Sequence, residues 1–301
     1  MARTRANGIE IEYETFGRKS DPAVLLIMGY AAQMTMWPVP FCQGLAARGF
    51  RVIRFDNRDA GLSSHLSHLG VPNVAEAMIK GLAGQKVTAP YSLEDMAADS
   101  VGLLGALEIP SAHIIGASMG GMIAQLIAIG HPQHTRSLVS IMSTTGRRDL
   151  PTGRPEVMAV LNMPPASGSR EDRMAQGRAI WAAIGSPAYR PTEAELEEVL
   201  TREVDHAPYD PEAPARQLVA TLASQPRSEA LRHLSVPALV IHGADDPLLP
   251  VDCGKDTAAA IPGSELIVIP GMGHDLPGAL IPMLVEHIGN FLIRVDRQKT
   301  P

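Results

Sequence analysis

Five residues, Gly116-Ala117-Ser118-Met119-Gly120, constrain this chain more than any other stretch. They read Gly-x-Ser-x-Gly. They follow the short apolar run Ala112-His113-Ile114-Ile115 and precede a helical pattern, Gly121 to Ile129, that Gly130 and Pro132 stop. A strand that turns sharply into a helix around a serine lifts the hydroxyl to the top of a parallel sheet. Gly116 and Gly120 suit the crowding of such an elbow, where a side chain would meet neighbouring backbone. The spacing therefore predicts a reactive serine on an α/β scaffold.

The rest of the chain fits that scaffold. Asn7-Gly8 precedes the alternating stretch Ile9 to Glu14, the second arm of a hairpin. Continuous apolar runs predict buried strands at Ala23 to Met28, Phe50 to Phe55, Ala112 to Ile115, Ser137 to Met142, Ala238 to His242 and Leu266 to Ile269. Helical patterns separate them. One opens at Ser92-Leu93-Glu94-Asp95, a capping box, and another runs from Leu280 to Ile293 at the end of the chain. Such alternation implies βαβ crossovers and a sheet of about eight mostly parallel strands flanked by helices. The interval 145–234 breaks the rhythm: it is rich in Pro, Arg and Glu and holds helical fragments such as Thr192 to Val204, without a convincing strand. It is expected to be a helical lid inserted between strands six and seven, over a core made of 1–144 and 235–301. A second excursion, Val71 to Tyr91, is expected to carry a short helix over Ala75 to Leu82.

Composition excludes several classes. The 301 residues carry a net charge of −6, so no basic field exists for nucleic acid or an anionic membrane. Cys42 and Cys253 lie far apart, with no metal-ligand spacing and no sign of a disulfide framework. The first eight residues have charge but no apolar stretch of the secretory kind, and the apolar runs are read as too short for a membrane span. A soluble, cytoplasmic protein without metal or cofactor is the expectation.

A serine hydroxyl needs an adjacent base, and the base needs a third group to orient it. Among ten histidines, His113 and His242 fall in strands, His131 at a helix end and His287 in the terminal helix pattern. His274 stands apart, in Pro270-Gly271-Met272-Gly273-His274, a glycine loop directly after the last strand. The orienting acid is expected between serine and histidine, and the run after the seventh strand offers Asp245 and Asp246 side by side. Local reasoning narrows the choice only to that pair. Backbone N–H groups of Met119 and Tyr30 are the candidate donors for an oxyanion, with Gly29 giving the turn room. Met34, Trp37 and Met122 are candidate lining residues of an apolar, adaptable pocket.

Taken together these residues resemble the α/β-hydrolase superfamily over nearly the whole chain. Gly116 to Gly121 matches its elbow, Asp56-Asn57-Arg58-Asp59-Ala60-Gly61-Leu62-Ser63 is similar to the loop after its fourth strand, and Gly271-Met272-Gly273-His274 fits its histidine loop. Gly243-Ala244-Asp245-Asp246 fits the family's Gly-x-x-Asp, and the resemblance thereby places the acid on Asp246. More narrowly, Asp-x-Arg-Asp-x-Gly and Pro-Gly-Met-Gly-His look like the aclacinomycin methylesterase group. One departure is Met28-Gly29, where the family often has His-Gly. The resemblance implies the α/β-hydrolase fold and a serine carboxylic-ester hydrolase. It would act through Ser118, His274, Asp246 and an acyl-enzyme on small to medium, largely apolar esters. The alternatives are C–C bond hydrolysis or perhydrolysis on the same triad, or a ligand-binding receptor with a vestigial one.

Overall fold

Alternation of apolar side chains along the strands decides the layers. In β3 (Ala23–Ile27), Val24 and Leu26 face one core while Leu25 and Ile27 face the other. Each buried aliphatic side chain contributes about 2 kcal/mol, and a one-residue slip would exchange the two sets, so the register is firmly specified. The computed structural model describes residues 1–161 and 163–299.

The remaining strands are β1 (Ala2–Ala6), β2 (Ile9–Phe16), β4 (Arg51–Phe55), β5 (Ala112–Ala117), β6 (Thr135–Ile141), β7 (Ala238–Gly243) and β8 (Glu265–Ile269). They form one sheet in the order β1-β2-β4-β3-β5-β6-β7-β8. β1 and β2 pair antiparallel, as does β2 with β4, and every pair from β4 to β8 is parallel. Helices α1 (Val39–Ala47), α2 (Val74–Leu82), α3 (Leu93–Ala106) and α4 (Met119–Gly130) precede β6. Between β6 and β7 lie α5 (Pro155–Leu161), α6 (Arg170–Ile184), α7 (Glu193–His206), α8 (Ala213–Ala223) and α9 (Ser228–Leu231); α10 (Val251–Ala260) and α11 (Ile281–Lys299) complete the chain.

One sheet face is covered by α3 and α4, through Leu103, Leu104, Ile123 and Ile127. The other is covered by α1 and α11, through Phe41, Leu45, Leu284 and Ile288. The α/β-hydrolase architecture with eight mostly parallel strands is as expected. Ser92 and Asp95 exchange the reciprocal bonds of a capping box at the start of α3.

Three expectations need correction. β5 runs on to Ala117, because its glycine and alanine still pair with Ser140 and Ile141 of β6. α11 continues past Ile293, since Val295 extends the buried stripe of Leu284, Ile288 and Leu292. The apolar runs were read as too short for a membrane, yet Gly278–Gln298 is 21 residues long with mean hydropathy 1.3, enough by length and composition. That apolarity serves packing on the sheet, where Leu284, Ile288 and Leu292 are fully buried. Cys42 and Cys253 are both buried free thiols.

Candidate active site

Four loops leave the carboxyl ends of parallel strands and meet at the edge where open α/β sheets place ligands. They follow β3, β5, β7 and β8. Ser118 sits between β5 and α4 with φ 56° and ψ −122°, a backbone conformation an L side chain rarely adopts. The fold holds it there from several sides. Its N–H donates to Ile141 O at 2.9 Å, and its carbonyl accepts from Gly121 N–H at 2.9 Å and from Ser143 Oγ at 2.7 Å. The elbow is tight enough that a Cβ on Gly116 would lie 2.0 Å from Gly120 O, and one on Gly120 would lie 2.1 Å from Ile27 O.

His274 Nε2 lies 2.9 Å from Ser118 Oγ, and His274 Nδ1 lies 2.7 Å from Asp246 Oδ2. Three side chains from distant parts of the chain thus form one line. Of the aspartate pair, Asp246 reaches the histidine, while Asp245 turns outward and accepts from Gly271 N–H at 2.7 Å. The other oxygen of Asp246 accepts from the N–H groups of Leu248 and Leu249, at 2.9 and 2.8 Å. Burial by itself would raise the Asp246 carboxyl. The charge of His274 and hydrogen bonding from His242 and His274 outweigh it and hold the group below the usual carboxylate range. An ionised Asp246 can only accept, so Nδ1 of His274 carries the proton and Nε2 presents its lone pair to the serine hydroxyl. Ser118 is half-buried, whereas His274 and Asp246 are buried.

The loop after β3 comes directly against the serine. A Cβ on Gly29 would stand 3.1 Å from Ser118 Cβ. Tyr30 follows it, and Met119 opens α4, where first-turn N–H groups have no partner within the helix. Met34 and Trp37 were expected in a pocket wall. Met34 is fully buried, and Trp37 is fully buried in the core on the α1 face, stacked on Phe41 with ring centroids 5.4 Å apart. Trp37 follows the 3-10 turn Met34–Met36, and its full burial against Phe41 assigns it to packing. Met122 packs into the opposite core with Met119.

Sequence reasoning missed the groups that tie these loops to the helices between β6 and β7. Ile184 O accepts from His274 N–H at 2.8 Å, and Ser186 Oγ accepts from Gly273 N–H at 2.9 Å. Ser186 Oγ in turn donates to Asp275 Oδ1, which also accepts from Ser186 N–H at 2.9 Å. Burial raises the Asp275 carboxyl, and the Ser186 bonds oppose that rise only in part. On the other side Asp56 accepts from Met34 N–H at 2.7 Å and Leu62 N–H at 2.9 Å, and its Oδ2 lies 2.8 Å from His206 Nε2 at the end of α7. Arg216 of α8 makes two bonds to Asp59, at 2.8 and 2.9 Å, with both side chains fully buried. No local motif marks Ile184, Ser186, His206 or Arg216, because their partners in these loops lie 87 to 157 positions away.

Asp59, His65 and Asp210 bring ligand-type atoms within 4.8 Å of one another. The Arg216 guanidinium already supplies their positive charge, bonding Asp59 and reaching Asp210 at 3.4 Å. Beside them lies a cleft of about 350 Å³ lined by Leu62, His65, Tyr209 and Asp210.

A family model described as the alpha/beta hydrolase family matches residues 24–281. The chain belongs to this family. It is similar to rhodomycin D methylesterase DauP from a Streptomyces species, at 28% identity over 298 residues covering 89% of each chain. It is also similar to rhodomycin D methylesterase DnrP from Streptomyces peucetius, at 27% identity over 292 residues, again covering 89% of each. Among solved structures it shares its fold with the enol-lactonase from Burkholderia xenovorans, with a TM-score of 0.72 at 21% identity, covering 97% of this chain and 100% of that one. A thermophilic esterase from Thermogutta terrifontis gives 0.73 at 23%, covering 98% and 99%. Family membership and these relatives make the chain a hydrolase, and the expected likeness to methylesterases holds.

Proposed function

We propose that this hydrolase cleaves carboxylic esters through Ser118, His274 and Asp246 and a covalent acyl-enzyme. The observation that carries the reading is the continuous line from Ser118 Oγ to His274 to Asp246, at 2.9 and 2.7 Å. His274 takes the proton of Ser118 as its oxygen attacks the ester carbonyl, and Asp246 holds the ring and balances its new charge. The N–H groups of Tyr30 and Met119 receive the oxyanion. His274 then protonates the departing alcohol. Water enters and attacks the acyl carbonyl as its proton passes to His274, which returns that proton to Ser118 Oγ as the acid leaves. The cycle needs no cofactor.

Methylesterases among the relatives favour the methyl ester of a bulky, largely apolar acid as substrate. Met122 beside the elbow, the less buried of the two methionines there, offers soft, apolar contact for such an acyl group. The helices α5 to α9 act as a lid over this edge. Hydrolysis of a C–C bond is the second reading, because one relative at 29% identity over 199 residues is named a 2-hydroxy-6-oxononadienedioate hydrolase.

Turnover of p-nitrophenyl butyrate and of methyl esters of bulky aromatic acids by the wild type and Ser118→Ala tests the assignment. The wild type should hydrolyse both and the variant neither. Equal rates from the two proteins would defeat it, and turnover of a vinylogous diketone without ester cleavage would favour the second reading.

A further inference from the structure

Gln217 joins the helices between β6 and β7 to the turn of the loop that follows β3. It lies on α8 with its side chain fully buried. Its Oε1 accepts from Ala31 N–H at 2.8 Å, and its Nε2 donates to Arg58 O at 2.7 Å. Ala31 is the residue after Tyr30 and has φ 55°, a left-handed conformation that an alanine does not adopt without support. On the sheet side, Asn57 Nδ2 donates to Met28 O at 2.9 Å, and Asp56 accepts from Met34 N–H. The loop 28–34 is therefore pinned at its two ends by the loop after β4, and at its turn Gln217 of α8 adds to the turn's own Ala32 N–H to Gly29 O bond of 3.4 Å. Gly29, within that turn, stands against Ser118.

We propose that Gln217 is a positioning residue for the oxyanion site: it fixes the turn at Ala31 so that the Tyr30 N–H stays aimed beside Ser118 Oγ. The inference rests on the ester-hydrolase reading above and deepens it. A hydrogen-bond donor contributes to an oxyanion only if it is already in place when the charge develops. Freed of Gln217, Ala31 relaxes from its left-handed conformation and the Tyr30–Ala31 segment loses its single orientation. The bond to Arg58 O gives the amide a second anchor and sets which of its ends faces Ala31.

The test uses Gln217→Met, which keeps the length of the side chain but neither bond. It is paired with Gln217→Glu, which keeps the acceptor for Ala31 N–H and loses the donor to Arg58 O. The Met variant should lose about 10²-fold in kcat for p-nitrophenyl butyrate, the usual cost of one oxyanion donor, with KM changed less than about threefold. Inhibition by phenylboronic acid, which forms a tetrahedral adduct on the serine, should weaken by a similar factor. Inhibition by butyramide, which forms none, should not. The Glu variant should keep kcat within about tenfold. If the two variants lose thermal stability alike but only the Met variant loses kcat, positioning is supported. Unchanged kcat and boronate affinity in the Met variant, or equal losses in both, would overturn the proposal. Hydrogen exchange at the Tyr30 and Ala31 amides decides the matter independently of activity. Faster exchange in the Met variant supports the role of Gln217 even if Ser118→Ala shows that the esterase reading is wrong, and unchanged exchange rejects it even if that reading stands.

Discussion

Asp246 Oδ2 and His274 Nδ1 stand 2.7 Å apart, both buried, with the second carboxylate oxygen fixed by two backbone N–H groups. The geometry leaves that carboxylate oxygen one thing to do: accept a hydrogen bond from the imidazole Nδ1–H and keep the ring in place. Asp246→Asn keeps the shape but presents an amide N–H to Nδ1, so the proton must move to Nε2 and block acceptance from Ser118. The expected loss is about 10⁴-fold in kcat with little change in the thermal midpoint. Steady-state kinetics beside a melting curve checks it, and a loss under tenfold would show that Asp246 does not orient the base.

The same pair sets part of the acid sensitivity. Because the folded carboxyl lies below its unfolded value of about 3.9, its stabilising effect is full above that pH and is lost as pH falls through the folded value. Urea midpoints measured from pH 5 down to pH 2 should therefore fall more steeply in the wild type than in Asp246→Asn. Parallel curves would remove Asp246 from the account of acid unfolding.

Asp275 carries the opposite sign. Its folded carboxyl is raised by burial, so the stability it gives is full below the unfolded value and is lost as pH rises through the folded one. Ser186 moderates that loss with two bonds to Oδ1 while holding Gly273 N–H beside His274. Ser186→Ala should cost about 1–3 kcal/mol at neutral pH and less once acidification has protonated Asp275. A destabilisation that grows on acidification would contradict this reading.

Legibility in the sequence followed distance along the chain. Ser118, Asp246 and His274 each sit in a short loop beside a recognisable strand end, so glycine spacing and apolar runs suffice to nominate them. The choice between Asp245 and Asp246 was not local: it turns on which carboxylate the β7 and β8 loops bring to His274, and only family spacing pointed to it. Gln217, Arg216, His206 and Ser186 left no trace, because their partners Ala31, Asp59, Asp56 and Gly273 are set by how α6 to α8 lie on the sheet edge. Trp37 misled for a related reason. A large apolar residue in the loop after β3 reads as pocket lining beside the nearby methionines, and only the fold shows it fully buried against Phe41.

Arg216 and Asp59 make the sharpest stability prediction. Removing one member of a fully buried, doubly bonded ion pair strands the other charge. Arg216→Met should destabilise the fold by about 3–5 kcal/mol, and Arg216→Lys should recover little because an ammonium cannot reproduce two parallel bonds. Adding Asp59→Asn to the Met variant should restore part of the loss. Urea unfolding of the wild type, the two Arg216 variants, Asp59→Asn and the double variant measures this, and additive losses in the double variant would argue against a coupled pair.

The central claim is that the Ser118 oxygen is the attacking atom. Reaction with one equivalent of a fluorophosphonate, followed by peptide mass mapping and an ester assay on the same sample, tests it most directly. The label should fall on the peptide holding Ser118, and turnover should fall in proportion to labelling. Stoichiometric label on Ser118 with ester turnover intact, or inactivation with the label on another residue, would contradict the account.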